Sequence, residues 1–232
     1  MNPLRSFACA VALFALPTWL ARHFVNLLGF SIARGARVGF SWVKIRALTM
    51  LPGSYIGHLN RVTGPVEIRL AEDAAIGHMN VIACPAPGIV VGQPVLSLGK
   101  WSKITFLHHV DMTATVTIGD YSTIAGRGSQ LWTHGYVHEM EGLARYRIDG
   151  PIHIEDNVSV GSLSVISLGV RIGRGVTIGS GTAVAKDLIE PGLYVSSPLR
   201  MLPRPLDPAK RADLEPVDRA LSQDIVYRKR TG

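Results

Sequence analysis

At 232 residues, 47% apolar and 18% charged, the chain can bury one sizeable core or two small domains, and its composition excludes a disordered protein. Its two cysteines, Cys9 and Cys84, form neither a CxxC nor a Cys/His zinc spacing, which argues against a disulfide framework and a structural zinc site and fits a reducing compartment. The net charge of +7 comes entirely from the first 66 residues: Arg5, Arg22, Arg34, Arg37, Lys44, Arg46 and Arg61 precede the first acid, Glu67, and the remaining 17 Lys/Arg match the 17 Asp/Glu. That bias suits an anionic membrane surface or a phosphate-bearing ligand. No recognition motif with interleaved aromatics accompanies it, so nucleic acid is not an expected partner.

Residues 7–21, FACAVALFALPTWLA, are almost wholly apolar, with Pro17 interrupting them. The uninterrupted run is shorter than the ~20 residues of a spanning helix, and no small-x-small site closes it as a signal peptide would. Residues 1–30 are therefore expected to form a basic, apolar helical segment packed on the body of the protein or on a partner subunit, with a peripheral membrane contact as the alternative.

A six-residue beat follows. Val38-Gly39 opens it, and Ile56-Gly57, Val62-Thr63, Ile76-Gly77, Ile82-Ala83, Ile118-Gly119 and Ile124-Ala125 continue it. Its register slips at 68–70, 84–92 and 104–118, as expected where coils carry loops. From Ile154 the beat is clean: Ile154, Val160, Ile166, Ile172, Ile178, Val184. A small residue follows each anchor except Ile154, and a second short residue stands four positions on, from Val158 to Thr182. Neither a helical period nor plain strand alternation produces this spacing. A fixed hexad predicts a parallel β-helix with anchors pointing inward and three hexapeptides to each triangular coil. The domain reading is a β-helix over 31–190, an inserted loop at 130–151 and a tail over 191–232. In that tail the Pro-rich EPGLYVSSPLRMLPRP ends the coils, a short helix is expected over 208–222 with Asp207 as its cap, and the last residues are expected to be loose.

The insertion, SQLWTHGYVHEMEG (129–142), crowds two histidines, a tryptophan, a tyrosine and two glutamates into a break in the ladder. With that break the sequence resembles the hexapeptide-repeat acyltransferases, in the branch of galactoside, maltose and colanic-acid acetyltransferases. The resemblance covers residues 30–203. It rests on VTIGDYSTIAGRGSQLWTHGYVHE (116–139), PIHIEDNVSVGSLSVISLGVRIGRGVTIGSGTAVAKD (151–187) and YVSSPLRML (194–202). It implies an all-β fold, a left-handed parallel β-helix. The hand is not legible from spacing, since most parallel crossovers are right-handed. It also implies a homotrimer with active sites between subunits, and an acetyl-CoA-dependent O-acetyltransferase acting on a sugar or glycan hydroxyl. The expected setting is surface-polysaccharide biosynthesis in the cytoplasm, at the inner face of the membrane, with no metal.

The resemblance assigns roles residue by residue. His134 matches the catalytic base, and a neutral imidazole suits proton removal from an alcohol at cellular pH. Asp111, Trp132, His138 and Glu139 are acceptor-side candidates, with Tyr136 able to stack on a sugar ring. Gly161, Ser162, Ser180, Ala185, Lys186 and Arg200 are cofactor-side candidates for acetyl-CoA. Among these, Ser162 supplies a backbone N–H to the oxyanion, and Lys186 and Arg200 meet phosphates. Three departures stand out: His108 and His109 where relatives often carry Asn, Ala185 where they carry Thr, and Ser196-Ser197-Pro198 where they read Gly-Asn-Pro. Two other readings stay open at this level. One is a γ-type zinc carbonic anhydrase using His108 or His109 with His134 and His138. The other is a non-catalytic β-helix scaffold.

Overall fold

The computed structural model describes residues 3–84, 93–138, 140, 142, 145–196, 200–202, 214–217 and 226–229. Strands of two to five residues stack into three parallel sheets. The first sheet has seven strands, from Ser31–Ile32 to Arg171–Ile172. The second runs from Arg37–Val38 to Leu193–Val195, with Arg200–Leu202 added antiparallel at its end. The third has seven strands, from Trp42–Lys44 to Ala183–Val184. The chain visits the sheets in rotation, so three hexapeptides make one coil. The clean anchors show the register: Ile154 pairs with Ile172, Val160 with Ile178 and Ile166 with Val184, all six buried along the axis. A short strand with one inward side chain can bury only one apolar residue, which is why the anchor recurs once per hexad.

The corners carry the chemistry that a strand cannot. Where the second sheet gives way to the third, six buried polar residues stack coil upon coil: Ser41, Asn60, Asn80, His108, Ser129 and Ser164. Asn60 Oδ1 accepts the Asn80 N–H (2.9 Å), Asn80 Oδ1 accepts the His108 N–H (2.8 Å), His108 Nδ1 accepts the Ser129 N–H (3.0 Å) and Ser129 Oγ accepts the Ser164 N–H (3.2 Å). Each side chain satisfies the backbone of the following coil, where an unpaired buried N–H would be costly.

His108 is therefore a structural member of this column and does not face an acceptor. Its Nδ1 accepts, so Nε2 carries the proton and points to Thr105 Oγ1 (3.0 Å). Burial pushes the imidazole down to about 4. The unfolded chain takes up this proton near pH ~6.5 and the folded chain does not. Stability from this group is full above that pH and falls as pH drops toward 4, by at most about 3 kcal/mol. His108→Asn, which repeats the residue of the preceding coil, is expected to fold and to remove this part of the acid-side loss. Denaturant unfolding of both proteins between pH 4 and 7 measures it, and parallel curves would contradict the assignment.

Two helices cover the N-terminal end of the axis: α1 (Pro3–Ala15) and α2 (Thr18–Leu27). Cys9, Leu13, Ala21 and Val25 complete the core there. Thr18 Oγ1 both donates to Val38 O (2.7 Å) and accepts from Val38 N (2.9 Å). Asn26 does the same for Ile32, through Nδ2 to its O (3.0 Å) and Oδ1 from its N (2.8 Å). The two side chains thus take the place of neighbouring strands and close the exposed edges of two sheets.

In the tail, the expected helix over 208–222 is corrected where it is described. Leu214–Val217 is a strand paired antiparallel with Val226–Lys229. Pro216 would break a helix interior but is tolerated at a sheet edge. The rest of that stretch lies outside the described residues.

Candidate active site

Val110 and Leu131 sit side by side in the third sheet, one coil apart, and both are fully buried. Asp111 follows the first and Trp132 the second, at the corner where the chain leaves that sheet. Trp132 N–H still donates to Ile166 O (2.9 Å), which keeps the ladder intact. After Thr133 the chain leaves the prism as a hairpin, His134–His138 paired antiparallel with Arg145–Asp149. It returns at Gly150, whose N–H closes on Thr133 O (2.9 Å). A Cβ at position 150 would stand 2.6 Å from the Gly169 nitrogen, so only glycine lets the base of the arm lie against the next coil. Within the insertion His134–His138 and Arg145–Asp149 thus form a β-hairpin, and Gln130–Leu131 belongs to the prism because Leu131 fills a core position.

Asp111 is buried, and a buried carboxylate is costly unless it is hydrogen-bonded. Four donors meet its Oδ2: His134 Nδ1 (2.8 Å), Thr133 Oγ1 (2.6 Å), Thr133 N (3.1 Å) and Thr113 Oγ1 (3.1 Å). Thr133 Oγ1 in turn accepts the N–H groups of Thr113 and Ala114. This network fixes the imidazole. A carboxylate oxygen only accepts, so the neutral ring holds its proton on Nδ1 and leaves the Nε2 lone pair free. The His134 side chain is 21% exposed and that of Asp111 only 6%, which makes Asp111 the anchored partner and His134 the one that reaches solvent.

Aromatic rings frame the imidazole. Trp132 and Tyr136 present edges to it at 6.0 and 5.8 Å between centroids. His109 stacks on Trp132 at 4.9 Å, and Trp132 Nε1–H donates to Gln130 Oε1 (2.8 Å). Burial pushes the His109 imidazole down, with the Asp111 charge opposing. On the returning strand, Arg147 grips Asp149 with two bonds (2.9 and 2.7 Å) and lies over the Tyr136 ring at 5.9 Å. That guanidinium holds the Asp149 carboxyl below the usual carboxylate range.

The structure brings Asp111, Trp132 and His134 together with Tyr136. His138 is exposed at the far end of its strand, four residues or roughly 13 Å along from His134, and so does not orient it. Glu139 lies outside the described residues. Because His108 is tied into the buried column, His108, His134 and His138 do not converge. Among the described residues no group of three His, Cys, Asp or Glu could hold a metal.

The remaining predicted residues occupy other positions. Gly161, Ser162 and Ser180 stand at the corner between the second and third sheets, following Val160 and Ile178. Ser162 Oγ accepts the Arg127 N–H (3.3 Å), and the backbone N–H of Ser162 makes no hydrogen bond among the described residues. Ala185 and Lys186 are exposed at the corner that carries His134, two coils further on, and Lys186 makes no ion pair among the described residues. Arg200 lies in the strand Arg200–Leu202 opposite Val195, and its side chain is outside the described residues. Within one chain, His134 and Ser162 therefore lie on two different corners of the prism, separated by a face of one hexapeptide, at most about 20 Å.

Sequence reading did not find Thr113 and Thr133, which hold Asp111, nor the Arg147–Asp149 pair. The threonine directly before His134 and the Asp-x-Thr spacing at 111–113 were the available signals.

No family model matches the chain. The bifunctional protein GlmU of Burkholderia vietnamiensis (strain G4 / LMG 22486) is 32% identical over 165 residues, which are 68% of this chain and 30% of that protein. The chain thus spans less than a third of that relative's length. Among solved structures, the polySia specific acetyltransferase NeuO superposes with a TM-score of 0.54 at 19% identity, over 75% of this chain and 79% of that one. The polysialic acid O-acetyltransferase OatWY gives 0.50 at 18% identity, over 75% and 83%. At these identities the two structures speak to the fold.

Proposed function

We propose that the chain is a hexapeptide-repeat acyltransferase, an acetyl-CoA-dependent O-acetyltransferase with a sugar or glycan hydroxyl as acceptor; the six-residue ladder, the fold shared with NeuO and OatWY and the similarity to GlmU support this reading. In this reading the coils wind left-handed, as the resemblance implies, and the setting is surface-polysaccharide biosynthesis on the cytoplasmic side of the membrane. The observation that carries the proposal is the dyad of His134 and buried Asp111.

The acceptor hydroxyl loses its proton to His134 Nε2 as its oxygen attacks the thioester carbon. The Asp111 carboxylate holds the ring in the reactive tautomer and offsets the charge of the imidazolium that forms. The Ser162 N–H, which makes no hydrogen bond among the described residues, is available to the developing oxyanion. As the tetrahedral intermediate collapses, the C–S bond breaks and the proton on Nε2 passes to the departing thiolate. Trp132 and the partly exposed Tyr136 flank His134 and offer aromatic surface to a sugar ring. Small residues at Gly161 and exposed Ser180 leave room for a pantetheine arm, and Lys186 offers a charge to phosphate.

The base and the oxyanion donor lie on different corners, so the reaction needs one of each from two copies. A closed homotrimer supplies three such clefts. The test is acetyl transfer from labelled acetyl-CoA to a panel of sugars, followed by thiol release. Acceptor-dependent release supports the reading, and acetyl-CoA affinity without any transfer to a hydroxyl would overturn it.

A further inference from the structure

The N-terminal helices do more than close the axis. One face of α1 packs on the prism through Ser6, Cys9, Ala10 and Leu13. The adjoining stripe carries Leu4, Phe7, Val11 and Phe14, all exposed at helical spacing, with the Phe7 and Phe14 rings also edge-on to Trp42 of the prism at 5.9 and 6.2 Å. On α2, Leu20, Phe24 and Leu27 continue that stripe beside Trp19, with Leu27 87% and Trp19 68% exposed. Among the described residues, eight of the 22 exposed large apolar side chains thus fall within 24 positions, far more than scattered surface apolarity requires. Between the helices runs an apolar groove of about 450 Å³ lined by Phe7, Val11, Leu16 and Phe24. Leu16 also borders a second cleft of about 630 Å³ that holds Trp19, Arg22, Arg37 and Tyr55. An apolar groove therefore runs directly into a basic, aromatic one.

We propose that this helical cap docks on the surface of an anionic phospholipid bilayer, with the apolar stripe among the acyl chains and the lipid phosphates against Arg22, Arg34 and Arg37. Charge selects the occupant. No Asp or Glu precedes Glu67, so a second copy of the same face would set like charge against like charge, whereas an anionic surface complements it. Trp19 has the amphipathic ring that suits the headgroup level. The helices lie on the bilayer and do not cross it: among the described residues no helix is long and apolar enough to span. This inference uses none of the residues assigned to acyl transfer.

The test is co-sedimentation of the full chain with two sets of vesicles, pure phosphatidylcholine and phosphatidylcholine containing phosphatidylglycerol. Binding is expected only to the second set and is expected to weaken with salt. The double variant Trp19→Glu/Leu27→Glu, at exposed positions, is expected to lose at least about tenfold in affinity, and Arg34→Glu/Arg37→Glu to lose binding at low salt. Absence of binding to anionic vesicles, or unchanged binding by the Trp19→Glu/Leu27→Glu protein, would overturn the proposal. Light scattering of the same variant supplies a second check. A changed oligomer size would mean that another protein copy covers this face, and would equally overturn it.

Discussion

Replacing His134 by alanine is expected to lower kcat for acyl transfer by about 10²–10⁴-fold, the usual contribution of a positioned general base. The fold should survive. The imidazole is partly exposed, and its one polar anchor, Asp111, keeps three other donors after the ring is gone. Binding of acetyl-CoA should also survive, because the cofactor-side residues Ser162, Ser180 and Lys186 are untouched. Steady-state kinetics with a thermal melt of the same preparation measures both. Near-normal turnover in a folded His134→Ala protein would end the assignment.

The second large effect is expected from Asp111→Asn. The substitution keeps the shape but removes the charge, and it offers an amide where the structure needs an acceptor for four donors at one oxygen. If the amide oxygen takes that place, the imidazole keeps its tautomer but loses the charge that offsets the imidazolium. If the amide nitrogen takes it, Nδ1 must accept and the proton moves to Nε2, which disables the base. Either way kcat is expected to fall by about 10²-fold or more, with KM for acetyl-CoA unchanged. Stability should fall by about 1–3 kcal/mol, since charge-assisted bonds become neutral ones. The split between kcat and KM separates positioning from scaffolding. A protein that melts earlier but turns over at the wild-type rate would make Asp111 a scaffold residue only.

The period of the prism was legible because each strand spends one inward side chain per hexad, and a six-residue spacing survives in a linear sequence. The break at the insertion was legible for the same reason, since a hairpin between Thr133 and Gly150 displaces the beat. What stayed hidden depends on contacts between coils, between residues that sequence patterns do not link. Asn60, Asn80 and His108 form one column because they stack, at separations of 20 and 28 residues. His108 looked like a departure near the acceptor and is instead a buried substitute for asparagine in that column. Thr133 meets Asp111 from 22 positions away, and the Asp111–His134 pair spans 23. Thr18 and Asn26 looked like unremarkable helix residues until their side chains were seen to stand in for missing strands.

The claim that joins these parts is that a productive site takes its base from one copy and its oxyanion donor from the next, because His134 and Ser162 occupy different corners of a single chain. Mixing two inactive proteins tests it most directly: His134→Ala, which lacks the base, and Ser180→Trp, which fills the cofactor-side corner beside Ser162. Unfolded together and refolded as mixed trimers, they should recover about a quarter of wild-type activity, the fraction of clefts that draw an intact residue from each neighbour. Mixed trimers that form and remain as inactive as either parent would contradict the account.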